Sequence, residues 1–309
     1  MPTDNKLENI SHIYVKAKTK SKTKSIKSLK KQKSANNKSK KIVKKRDSNQ
    51  SKSVRLNQNN IVRMKKEPII IPNLPSSSQD MWTRQDIQVN DVLADVYKKG
   101  VLEKDGTTHK FKDTTNPIQG RHIYNLIKEN KFTHTLEVGM AMGASTVWIC
   151  QAHKDVGMNG NHIAIDPNQS TQYMGIGVDL VQRAGLSQYM ELMEMPSYRA
   201  MPIVLEQVLN QGLPKFQLIY IDGWHTFDYT LVDFFFADLL LEVGGVIVLD
   251  DIKHIPVKKF FKYVATNYPH YKVVKKTPCY DPTDPKNSSQ ATFIKIANDT
   301  RTWNHHVEF

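Results

Sequence analysis

The sequence predicts an α/β protein: a doubly wound, mostly parallel sheet of seven strands, closed by an antiparallel hairpin and preceded by a disordered basic tail. Three observations predict it. Between residues 133 and 251, five short, mostly apolar runs alternate with segments of helical length and periodicity. Those runs are apolar throughout instead of alternating, which is the pattern of parallel strands covered on both faces. Two further apolar runs follow the last helical segment and are joined by a Pro/Asp/Ser-rich loop, which makes them a hairpin.

The tail comes first. Residues 1–66 hold 21 of the 44 basic side chains and 3 of the 30 acidic ones, so the segment carries +18 and the remaining 243 residues −4. The basic balance therefore belongs to the tail, and the body is mildly acidic. Its Lys/Ser/Asn-rich stretch KAKTKSKTKSIKSLKKQKSANNKSKKIVKKR is almost free of aromatics and cannot bury enough apolar surface to offset the cost of ordering. Such a flexible cation string is either a nuclear-localisation-like or polyanion-binding arm, which would contact nucleic acid by releasing counterions, or a solubilising extension. Residues 67–80 contain PIIIPNLPSSSQ and read as a linker.

Residues 81–130 read as a mainly helical cap. DIQVNDVLADVYKKG has helical spacing and a glycine stop at Gly100, and PIQGRHIYNLIKEN forms a second helix. The domain proper spans 131–298. Its first five strands lie in THTLEVG, HIAIDP, YMELMEM, FQLIYIDG and GGVIVLDD. The helices lie in GASTVWICQAHK, TQYMGIGVDLVQRAG, RAMPIVLEQVLNQG, TFDYTLVDFFFADLLLEVG and IPVKKFFKYVATNYP. Within the fourth, FFFADLLL (234–241) is apolar all round and reads as a buried helix. YKVVKKT and ATFIKIAN make the closing hairpin, and 299–309 is a C-terminal tail.

No apolar stretch reaches membrane-spanning length, and the N-terminus lacks the apolar region of a signal peptide. Cys150 and Cys279 make neither a disulfide framework nor a zinc set. These features predict a cytoplasmic or nuclear protein with no membrane contact, not secreted. Oligomeric state is not legible.

In a doubly wound sheet, ligands sit beyond the carboxyl ends of the strands. The five strand ends read EVG, IDP, MEM, IDG and LDD, and each carries an acid that a purely structural sheet does not require. In LEVGMAMGAST, Gly139 and Gly143 permit a tight turn and close backbone approach at a helix N-terminus. Ala141 breaks the dinucleotide pattern G-x-G-x-x-G. Glu137 would repel a pyrophosphate and suits a ligand with a positive group, such as a methionine amino group. Asp166, at the end of the second strand, is placed to bond ribose hydroxyls.

Taken in order, LEVGMAMGAST, IAIDP, IYIDGWHTFD and LEVGGVIVLDD resemble the class I S-adenosylmethionine-dependent methyltransferases, which have a Rossmann-like fold. The resemblance covers about residues 115–298 and is nearest to the macrocin-type and catechol-type O-methyltransferases and the cephalosporin-hydroxylase-like proteins. It implies that Glu137, Gly139, Ala141, Gly143 and Ser145 cradle the methionine part of the cofactor. It also implies that Asp166 holds the ribose, that Ser197 lies near the adenine, and that Asp222 borders the same site.

In that fold the strands ending in Asp222 and in Asp250–Asp251 are neighbours. Carboxylates at adjacent strand ends can converge on one hard cation, magnesium, manganese or calcium. The related subgroup binds a divalent metal at these positions, which carries over onto Asp222, Asp250 and Asp251. This chain departs by having Asp-Asp where relatives have Glu-Asp or Asp-Asn. The alternative is that the acids only cap strand ends. His225, three residues after Asp222, matches the D-x-x-H of macrocin-like relatives, in which the histidine is the base; otherwise it is a helix-terminal residue packed beside Trp224. The Pro278–Cys279 pair lies beyond the fifth helix, too late to be a cytosine-methylation nucleophile, and His305–His306 has no partners at metal-ligand spacing.

The expected function is therefore a metal-assisted O-methyltransferase acting on a sugar or small-molecule hydroxyl. The competing readings are an RNA or protein methyltransferase that holds its substrate through the basic tail, and a binding module that kept the fold without the chemistry.

Overall fold

A computed structural model describes residues 68–72, 89–112, 114–157, 159–284 and 288–309. The tail read over 1–66, and all of the 67–80 linker but 68–72, lie outside the described residues.

The first helix, α1 (Asp91–Lys99), starts where the Asn90 side chain accepts the free amides of Val92 and Leu93 and stops at Gly100 in the left-handed conformation. The segment after it corrects the expectation that 81–130 is mainly helical. Strands β1 (Val101–Lys104) and β2 (Thr107–Lys110) pair antiparallel across Asp105 and Gly106, both at positive φ. An Asp-Gly pair between two short runs is a strong hairpin signal, because both residues tolerate the backbone that a two-residue turn needs. Helix α2 (Pro117–Asn130) follows, with a reciprocal capping box between Asn116 and Gln119 and proline in its first turn.

The main sheet contains β3 (His134–Val138), β4 (Asn161–Ile165), β5 (Met190–Met193), β6 (Phe216–Ile221), β7 (Leu241–Leu249), β8 (Tyr271–Val273) and β9 (Ala291–Lys295). Its spatial order is β5-β4-β3-β6-β7-β9-β8. The first five strands run parallel, and β9 pairs antiparallel with both β7 and β8, so the closing hairpin is present. Strand order reverses between β3 and β6, the point at which such sheets open a crevice.

Two apolar layers cover the sheet because alternate residues of each strand face opposite sides. Leu136, Val138, Ile219, Ile221, Ile247 and Leu249 pack toward helices α5 (Ser197–Gln211), α6 (Phe227–Leu240) and α7 (Ile255–Asn267). Ala164, Leu218, Tyr220, Val246 and Val248 pack toward α1, α2, α3 (Ala144–Val156) and α4 (Ile176–Arg183). Helix α6 is buried on one side only, which corrects the reading of 234–241, apolar all round, as a buried helix; Leu241 already belongs to β7. Phe234 is fully enclosed by Phe260, Tyr268, Tyr271 and Phe293, whereas Phe235 is 52% and Leu239 38% exposed. A helix laid on a sheet face turns its outer side to water whatever its sequence. Among the described residues, no helix is long and apolar enough to cross a membrane.

Candidate active site

The carboxyl ends of β3, β4 and β6 open into a cavity of about 820 Å³. Its wall includes Gly139, Ala141, Asp166, Asn168, Tyr173, Ser197, Asp222, Trp224 and His225. Five of the eight residues expected to bind the cofactor (Gly139, Ala141, Asp166, Ser197 and Asp222) share this wall with the expected base, His225.

The turn after β3 works by close approach. A Cβ on Gly139 would lie 1.9 Å from the Asp222 carbonyl oxygen, and one on Gly143 would lie 2.8 Å from the Gly177 carbonyl oxygen. Both glycines have positive φ, as has Ala141 at 45°. Asp166 pins the turn from the next strand: its Oδ2 accepts the amides of Met140 and Ala141 at 3.1 and 2.8 Å, and its Oδ1 accepts that of Asn168.

Three residues expected to contact the cofactor do not line the cavity, which corrects that expectation. Glu137 is fully buried on the opposite side of β3, where it accepts hydrogen bonds from Ser145 (2.7 Å) and Thr146 and lies 3.1 Å from His162 Nε2. Strand alternation turns it toward α3 and away from the cavity. Ser145 is consumed by that same interaction. Gly143 does not line the cavity either; it begins α3 and lets the α4 backbone approach.

The acids at the neighbouring ends of β6 and β7 divide into two roles. Asp222 and Asp251 face His225, whose Nε2 lies 3.1 Å from Asp222 Oδ1 and 3.3 Å from Asp251 Oδ2. Asp250 does not join them, which corrects the three-carboxylate cation set. Its Oδ1 accepts from Gln119 Nε2 and the Asp251 amide, both at 2.8 Å, and its Oδ2 accepts from the Tyr220 hydroxyl at 2.5 Å. That hydroxyl also reaches Asp222 Oδ2 at 3.2 Å. Burial pushes the Asp250 carboxyl well above the usual carboxylate range, and the nearby Asp222 charge adds to the effect. Among the described residues at these strand ends, Asp222, His225 and Asp251 can offer ligand atoms to one ion.

His225 and Asp251 both hold left-handed backbone, with φ of 53° and 52°. Non-glycine residues in that region carry strain that persists where surrounding contacts over-determine it, and such residues cluster at functional sites. The hydrogen bond from His225 to Asp222 holds its imidazolium above the usual histidine range, partly opposed by burial. A second histidine, His254, stacks on the His225 ring at 5.8 Å and lies 3.6 Å from Asp251 Oδ2. The signal for it was in the sequence: Asp251-Ile-Lys-His254 repeats the D-x-x-H spacing of Asp222–His225.

Asp233, on α6, is 1% exposed and packs under Gly223, with one carboxylate oxygen lacking any partner. Burial pushes its carboxyl up to about 6, with a Ser197 hydrogen bond opposing. Because the folded state holds this proton more tightly than the unfolded chain, stability falls as pH rises from about 4 to about 6 and stays lower above. Asp233→Asn is therefore expected to stabilise the fold by of the order of 2 kcal/mol near pH 7.5 and by almost nothing near pH 4. Urea unfolding of both proteins at the two pH values measures this; equal gaps would show that Asp233 is not held protonated.

Residues 136–252 match a family model described as a methyltransferase domain. Caffeoyl-CoA O-methyltransferase of Mesembryanthemum crystallinum is 24% identical over 161 residues, covering 48% of this chain and 59% of that protein. Caffeoyl-CoA O-methyltransferase 2 of Petunia hybrida is 27% identical over 165 residues, covering 48% and 62%. The chain thus spans less than two thirds of the length of these curated relatives. The fold resembles that of cofactor-bound Rv0187 from MTB, with a TM-score of 0.51 at 17% identity, over 72% of this chain and 94% of that one.

Proposed function

We propose that residues 136–252, which match the methyltransferase-domain model, work as a class I S-adenosylmethionine-dependent methyltransferase and that the protein moves the cofactor's methyl group to a hydroxyl oxygen of a small-molecule or sugar acceptor. The observation that carries this reading is His225 Nε2, set between Asp222 and Asp251 on the wall of the cavity. The O-methyltransferase relatives support a hydroxyl as the acceptor.

The cavity suits the cofactor. Gly139 and Ala141 present backbone without a large side chain, and Asp166 Oδ1 keeps a lone pair for a ribose hydroxyl beside the Asn168 amide it accepts. Bound there, S-adenosylmethionine supplies an electrophilic methyl group. His225 Nε2 takes the proton of the acceptor hydroxyl, and Asp222 and Asp251 stabilise the imidazolium that forms. The cavity wall aligns the acceptor for in-line displacement, which supplies much of the acceleration.

A divalent cation fits at the Asp222 and Asp251 carboxylates, because magnesium and manganese take one or two carboxylates and keep waters. It would supply positive charge that acidifies the acceptor hydroxyl. Asp250, with both oxygens engaged, acts behind the site by fixing the Asp251 backbone and the Tyr220 hydroxyl.

Calorimetry with S-adenosylmethionine, with and without magnesium, tests the function. Asp250→Asn, behind the ligands, is expected to weaken magnesium binding about tenfold, and Asp251→Asn, which removes a ligand charge, by clearly more. Absence of cofactor binding would remove the enzymatic reading. Equal losses in the two variants would reinstate three carboxylate ligands.

A further inference from the structure

The segment 299–309, which reads as a tail in the sequence, is tied down at three places along α7. At its start, Arg301 pairs with Asp299 (Nη2 to Oδ2, 2.7 Å), donates from Nη1 to the Asn267 carbonyl at 3.1 Å, and lies 3.7 Å over the Tyr268 ring. In the middle, the side-chain amide of Asn267 brackets Val307: its Nδ2 donates to the Val307 carbonyl at 2.7 Å and its Oδ1 accepts the Val307 amide at 2.8 Å. Asn267 is 2% exposed, and a buried amide of this kind is costly unless paired. The strap supplies that pairing. At the far end, Phe309 meets Tyr263 edge-on at 5.0 Å and stacks on Phe227 at 6.4 Å with an interplanar angle of 13°.

Phe227 is the first residue of α6 and is separated from His225 only by Thr226, the N-cap of that helix. Its ring is also met by Phe260 and Tyr263, at 5.8 and 6.3 Å. The four residues between the end of β6 and the N-cap include His225 in its strained left-handed backbone. Such a conformation is sustained by the groups around it. On one side these are Asp222 and Asp251, and on the other the aromatic anchor at Phe227.

We propose that residues 299–309 form a clasp in which the Phe309 ring holds Phe227 and thereby positions His225 against the acceptor. Phe309 touches no reacting atom; it is a positioning residue. The proposal rests on the reading of His225 as base for its effect on turnover, but not for its effect on where the imidazole sits.

The test is the histidine ring spectrum of the full chain by NMR, with the His225 signals assigned from His225→Ala, beside steady-state kinetics. Phe309→Ala is expected to shift or double the His225 ring signals and to lower kcat about tenfold, with the KM for S-adenosylmethionine changed by less than about twofold. Phe309→Tyr, which keeps the ring, is expected to restore both. Trp303→Ala, at a side chain 97% exposed on the same segment, is expected to change neither. Asn267→Ala, which releases Val307, should shift the same His225 signals if Phe309→Ala proves poorly folded. Unmoved His225 signals in the Phe309→Ala protein would overturn the clasp, whatever happens to kcat. If His225→Ala itself is fully active, the base reading falls and the clasp is decided by the spectra alone.

Discussion

Replacing His225 by alanine is expected to lower methyl transfer at least about a hundredfold while cofactor affinity stays within about twofold. The two parts of this expectation come from different atoms. Cofactor contacts are assigned to Gly139, Ala141, Asp166 and Ser197, none of which depends on the imidazole. Proton removal is assigned to Nε2 of His225, whose side chain is 38% exposed, lines the cavity and is flanked by two carboxylates. Without the ring, Asp222 and Asp251 face each other with no imidazolium between them, so the hydroxyl proton has neither a well-placed acceptor nor its electrostatic support. Single-turnover rates with saturating S-adenosylmethionine, together with calorimetric affinity for its demethylated product, measure the two parts separately. A fully active variant would eliminate His225 as base. A joint collapse of rate and affinity would move the residue into the cofactor site.

Gly139→Ala is expected to destabilise the fold by about 3 kcal/mol or more and to weaken cofactor binding with it. The added carbon would stand 1.9 Å from the Asp222 carbonyl oxygen and 2.8 Å from its carbonyl carbon, and both belong to backbone at the end of β6. Backbone cannot swing aside as a flexible side chain can. Relief would have to come from parting β3 and β6 where the Asp222 amide donates to the Val138 carbonyl at 2.9 Å. The positive φ at residue 139 adds its own penalty. Gly212→Ala separates the two contributions: Gly212 also has positive φ but meets nothing within 4 Å, so about 1 kcal/mol is expected there. Urea unfolding of the pair is decisive. Equal costs would mean that the turn tolerates a side chain and that its glycine answers to backbone conformation alone.

The sheet and its strand ends were legible because both follow from short-range pattern. Apolar runs of strand length alternating with helical periods fix the layers, and an acid that ends an apolar run marks a strand's carboxyl end. What failed was orientation. Glu137 and Asp222 have the same strand parity, but Glu137 lies within β3 under α3, whereas Asp222 lies just past the end of β6 where the cavity opens, and no residue type distinguishes them. Asp250 failed for another reason: its partners Gln119 and Tyr220 are 131 and 30 positions away, and only the folded chain brings them together. The β1–β2 hairpin and His254 belong to a third kind. Asp105-Gly106 and the second D-x-x-H were written plainly, and the helical periodicity around the first and the attention drawn to Asp222 outweighed them. The attachment of residues 299–309 depends on Asn267 and Phe227, residues that carry no pattern of their own.

Gln119 also sets where this molecule can be divided. It lies on α2, upstream of the stretch 136–252 that matches the family model, and it supplies one of the hydrogen bonds that satisfy Asp250. On the other flank, β9 pairs along Val246 to Leu249 and shields the far side of the same strand. A fragment cut at the family boundaries would take one hydrogen bond from the buried Asp250 carboxyl and leave a strand edge without its partner. Each unpaired buried polar group costs about 1–3 kcal/mol, and an open edge invites pairing with other chains. A piece that keeps this site whole therefore starts no later than Asn116 and includes the clasp to Phe309, and the helix in front of the domain is part of its working interior.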